Sequence, residues 1–81
     1  MSILILFRSV TYAQRAQRAL QRRGIGAEMT RAPLGHTDRG CGYALRLPER
    51  AREQAVGILE AEHIDFGRVL VRDGQGGWRE P

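Results

Sequence analysis

Ser2 to Arg8, "SILILFR", constrains the fold more than any other segment, because every position from Ile3 to Phe7 is apolar. A half-exposed strand would alternate apolar with polar residues, and a helix would need more length. A continuous run of this kind is expected of a central strand covered on both faces. It falls far short of the roughly 20 apolar residues that a membrane span requires. The rest of the chain must therefore supply a layer for each face of this strand. With 81 residues, 42% hydrophobic and 27% charged, it fits one soluble domain with a thin core, not a disordered segment.

Thr11-Tyr12-Ala13-Gln14 has capping-box spacing, and Ala13, Ala16 and Leu20 follow at helical intervals until Gly24 stops the pattern. This predicts a first helix over 11–23. A short strand over 25–30 follows, and then "RAPLGHTDRGCG", where Pro33, Gly35, Gly40 and Gly42 break any regular pattern. A third strand is expected over 41–47, with Cys41, Tyr43, Leu45 and Leu47 on one side and Gly42, Ala44 and Arg46 on the other. Pro48 opens a second helix over 48–62, with a stripe of Ala51, Ala55, Ile58, Leu59 and Glu62. A fourth strand over 66–72 completes a domain of residues 1–72, and 73–81 reads as a flexible tail.

The order βαββαβ predicts an α+β, ferredoxin-like sandwich: a four-stranded antiparallel sheet, order 4-1-3-2, with both helices on one face. The other face is left apolar by Ile3 to Phe7 and by Val69, Leu70 and Val71. A bare face of that kind implies a homodimer or another partner, or, more mildly, packing of the tail through Trp78. One cysteine excludes an internal disulfide, and no signal peptide is read at the N-terminus, so a cytoplasmic setting is expected. All 13 basic residues are arginine, with a net charge of +4. That favours anionic partners electrostatically, but compositional bias with charges solvated on helix faces is the reading preferred to a dedicated nucleic-acid surface.

The chemistry-bearing candidate is Cys41. In a 4-1-3-2 sheet the start of strand three lies beside the end of strand one, so Cys41 is expected near Arg8, Ser9 and the helix N-terminus around Thr11. Arg39 is a second guanidinium close in sequence, and Gly40 and Gly42 permit close backbone approach. Helix N–H groups and guanidinium ions stabilise a thiolate, which is the setting of a reactive cysteine. The alternative is a cysteine that fills the edge of the core as a small apolar residue. His36 is a candidate proton shuttle, and His63 a favourable charge at the end of helix two. One cysteine and two scattered histidines form no recognised metal-ligand spacing, and no cofactor is implied.

On these residues the chain resembles the selenium/sulfur carrier protein-like family of small βαββαβ domains. The resemblance covers residues 3 to about 70. It rests on "ILILFRS" entering the first helix, on Ala16 and Leu20 followed by "RRGI", on Pro33, and above all on "CGYALRL", similar to the family's Cys-Gly-x-Ala-Leu-Arg segment. Family members commonly carry serine where this chain has Gly40. The resemblance implies that Cys41 carries sulfur or selenium as a persulfide or selenosulfide. Its partners would then be donor and acceptor proteins, and it would act stoichiometrically, without enzymatic turnover.

The RNA-recognition motif shares the element order, and its third-strand signature is similar at Arg39, Gly40, Gly42 and Tyr43. Cys41, Arg46 and Leu4 stand where its stacking aromatics are expected, leaving chiefly charge-driven, salt-sensitive binding. Nucleic-acid binding of this type is the second reading, and it requires Tyr43 on the sheet face opposite the helices. A dimerising interaction or small-ligand regulatory module is a third, and it requires no role for Cys41.

Overall fold

The computed structural model describes residues 2–32, 42–72, 74 and 76–80. β1, Ser2–Phe7, takes the central place that its apolar run predicts. It pairs antiparallel with β3, Tyr43–Pro48, on one side and with β4, Val69–Arg72, on the other. Outside β3 lies β2, Glu28–Arg31, and outside β4 lies β5, Trp78–Arg79. The protein is thus an α+β fold with a five-stranded antiparallel sheet ordered β2-β3-β1-β4-β5. The expected four-stranded ferredoxin-like sheet is corrected in number: the first four strands keep the order 4-1-3-2, and β5 adds a strand from the segment read as a tail.

Strand alternation divides the sheet residues between two apolar clusters. Ile3, Ile5, Phe7, Leu45 and Leu47 point to one side, where they pack with Ala13, Ala16, Ala19 and Leu20 of helix α1, Val10–Arg22, and with Ala55, Ile58 and Leu59 of helix α2, Arg52–Ala61. Burying each such large side chain contributes about 1.5–3 kcal/mol against conformational entropy. On the opposite side Leu4, Leu6, Ala44 and Leu70 form a second cluster without helix residues. Their exposures of 2, 8, 0 and 0% show that this face is not bare. Trp78 of β5 and Ala32 pack against it. The Arg72 guanidinium sits over the Trp78 ring, 5.0 Å from its centroid, and Arg68 Nε lies 3.3 Å from Glu80 Oε1. Tail packing through Trp78 is therefore the arrangement observed. An uncovered apolar face, which motivated the homodimer, is not.

The helix boundaries differ from expectation for local reasons. Ser9, not Thr11, caps α1: its extended backbone places Oγ to accept from the Tyr12 N–H at 3.3 Å. Pro48 does not begin an α-helix but precedes a 3-10 turn, Glu49–Ala51, and α2 follows without a side-chain cap. β4 starts at Val69 because Leu6 bonds two successive residues in a bulge-like step, accepting from the Gly67 N–H and donating to the Arg68 carbonyl.

Both helices stop in the same way. Gly24, with φ 81°, follows α1, and His63, with φ 56°, follows α2. In α1 the Ile25 and Gly24 N–H groups donate to the carbonyls of Leu20 and Gln21. In α2 the Ile64 and His63 N–H groups donate to those of Leu59 and Glu60. This pair of closing bonds around a left-handed residue satisfies carbonyls that the helix leaves open. Each motif then folds an isoleucine back onto the core beside its leucine.

Candidate functional site

Sequence places the candidate site at the end of the sheet where β1 finishes, and register fixes which described residues meet there. Phe7 pairs with Tyr43, and Tyr43 pairs with Arg31 of β2. One residue beyond, the Ala32 N–H donates to the Gly42 carbonyl. Arg8 and Ser9 leave β1 at this same end and turn directly into α1. The antiparallel pairing of β1 with β3 thus brings Arg8, Ser9 and the start of α1 to the edge where Gly42 enters β3. Arg8 and Thr11 are exposed and Ser9 is half-buried. Cys41, the chain neighbour of Gly42, and Arg39, Gly40 and His36 lie outside the described residues.

Helix geometry leaves the first N–H groups of α1 without intrahelical partners. Ser9 Oγ takes the one from Tyr12. The N–H groups of Val10 and Thr11 remain at the positive end of the helix dipole, with no acidic residue in the first turn to occupy them. Arg8 has no ion-pair partner among the described residues. Arg8 and the N-terminus of α1 thus contribute positive potential at this sheet end. Gly42 holds φ 62°, a left-handed conformation that an L side chain adopts only at a cost, so its freedom is used at the entry to β3.

Tyr43 settles one question raised by the sequence. It packs half-buried against the helix-side core, together with Tyr12, and the Arg31 guanidinium lies 5.8 Å from its ring centroid. It is therefore not on the face opposite the helices, where an RNA-recognition motif presents its stacking aromatic. On that face β1 and β3 offer Leu4, Leu6, Ala44 and Arg46, with Arg46 ion-paired to Glu28.

Sequence reasoning missed three of these features. The Arg31–Tyr43 contact depends on register and has no local signature. The capping-box spacing points to Thr11 and hides the Ser9 cap. At His63 the sequence points to the side-chain charge, whereas the backbone terminates α2. A signal for the last was available, since Leu59 to Ile64 repeats the leucine-to-isoleucine spacing of Leu20 to Ile25. Among the described residues no group of three or more histidine, cysteine or acidic side chains could hold a metal ion, and no helix is long and apolar enough to cross a membrane.

A family described as "Putative Se/S carrier protein-like" matches this chain over residues 2–70. Comparison with curated proteins and with solved structures gave no match.

Proposed function

From the chain's membership of the Se/S carrier protein-like family, we propose that it carries sulfur or selenium on Cys41. The supporting observation is the Phe7–Tyr43 pairing, which brings Gly42 and the entry to β3 to the same sheet end as Arg8 and the N-terminal N–H groups of α1. In this reading the Cys41 thiolate attacks the outer sulfur of a donor protein's persulfide. A new S–S bond forms to Cys41, the donor's S–S bond breaks, and the donor leaves as a thiolate. Delivery to an acceptor thiolate reverses the step. Selenium transfer follows the same exchange. Arg8 and the N–H groups near Thr11 stabilise the anion, Arg39 adds charge, Gly40 and Gly42 leave the sulfur accessible, and His36 moves the proton.

The reading is tested on intact protein purified without reductant. Mass spectrometry is expected to show about 32 Da added on Cys41 for sulfur, or about 79 Da for selenium, and Cys41→Ser to abolish the addition. Iodoacetamide should label Cys41 rapidly near neutral pH, and Arg8→Ala should move the onset of labelling to higher pH. A thiol that is alkylated only after unfolding would sink the assignment.

A further inference from the structure

Compositional bias can account for arginine in place of lysine throughout the chain, but it does not account for where the acidic residues are. All nine Asp and Glu residues come after residue 27, whereas Arg8, Arg15, Arg18, Arg22 and Arg23 come before it. The exclusion of acidic residues covers the whole of α1, whose exposed positions are Thr11, Gln14, Arg15, Arg18, Gln21 and Arg22. At about 100° per residue, Thr11, Arg15, Arg18 and Arg22 fall within one stripe about 60° wide, and Gln14 and Gln21 form the row beside it. Arg22 is held by Glu62 at 3.1 Å. Arg15 and Arg18 have no ion-pair partner among the described residues. A helix face stabilised for its own sake would carry Glu at i±4 to these arginines; this one does not.

We propose that the exposed stripe of α1 is a docking surface for duplex DNA, contacting its phosphate backbone through Arg15, Arg18 and Arg22. The argument from charge is that a row whose only charged residues are arginines complements a polymer carrying one negative charge per about 1.7 Å of axis. The side chains in the two rows are all of the types that donate to phosphate and sugar oxygens. An acidic protein is the poorer occupant, because a protein interface is anchored by a buried apolar centre and the stripe presents no apolar side chain. Single-stranded nucleic acid needs stacking aromatics, which this face lacks. A helix face laid along the DNA major groove reaches the phosphates on its rims, and the deep, narrow major groove of duplex RNA does not admit one. The surface is independent of Cys41 and of the sheet face that an RNA-recognition motif would use.

The test is fluorescence anisotropy of a short labelled DNA duplex titrated with the full chain. Three phosphate contacts predict a slope of log affinity against log salt near −2.7, or a loss of about 40-fold between about 50 and 200 mM salt. Arg15→Gln/Arg18→Gln, exposed changes that leave the helix core untouched, should weaken binding more than about tenfold and bring the slope to about −0.9. Arg50→Gln/Arg52→Gln, outside α1, should leave the slope of binding unchanged. Absence of binding at low salt, a double variant that binds like the parent, or equal affinity for duplex RNA, polyglutamate or anionic vesicles would overturn the proposal.

Discussion

Two residues in equivalent places experience the same backbone with different side chains. Gly24 and His63 each end a helix in the left-handed region, where a Cβ costs about 1–2 kcal/mol. Gly24→Ala should therefore destabilise the fold by about 1–2 kcal/mol, since no space limits the added methyl and only the backbone resists it. His63→Gly should act in the opposite sense and stabilise by up to about 1 kcal/mol, net of the added unfolded-state freedom. Urea unfolding midpoints with unchanged slopes would check both. Ser9→Ala, which removes the acceptor for the Tyr12 N–H, should cost about 1 kcal/mol in the same assay, and Thr11→Ala much less. Equal losses at Ser9 and Thr11 would contradict the cap assignment. At this scale the candidate site was only partly legible: the strand register that gathers Arg8, Ser9, Thr11 and Gly42 follows from topology, but the cap depends on where the chain leaves β1, and capping-box spacing pointed two residues too late.

Among the elements, those with a strong periodic signal were read closely. β1 follows from its unbroken apolar run, and α1 from Ala13, Ala16 and Leu20, to within one residue at each end. The weaker boundaries moved where tertiary bonds decide them. α2 begins only after a 3-10 turn because nothing at Leu47 or Pro48 caps it, and β4 is shortened by the step at Gly67. β5 has almost no local signal: two residues after Gly76-Gly77 become a strand because β4 offers an open edge and the second cluster offers Trp78 a surface. Trp78→Ala should then cost about 1–3 kcal/mol, a fraction of the loss for a fully buried aromatic because Trp78 is half-buried. The same variant should expose the Leu4 and Leu70 surface and bind a hydrophobic dye that the parent excludes.

For the whole molecule, the question moves from which face is apolar to which face is covered. A 9.1 kDa chain has little apolar surface to spare, and here Trp78 of the C-terminal strand packs, with Ala32, on the sheet's second face. Sedimentation of the parent chain should accordingly give a monomer at micromolar concentration, with self-association appearing in Trp78→Ala. A dimer that survives unchanged in that variant would place the contact elsewhere. Charge is segregated at the same scale: the first third of the chain is wholly cationic, and the acidic residues that balance it begin at Glu28. A net charge of +4 understates the field along α1, because the sum averages over parts of the surface that a partner would meet separately.

The strand that closes the sheet also gives the molecule an optical reporter. Trp78 is the only tryptophan in the chain, and it lies beneath the Arg72 guanidinium on the face away from both helices. Its fluorescence therefore reads one cluster alone, while far-ultraviolet circular dichroism reads the helices of the other. If the two clusters melt as a single cooperative unit, the two signals will trace the same curve; if β5 frays first, emission will shift while helicity is intact.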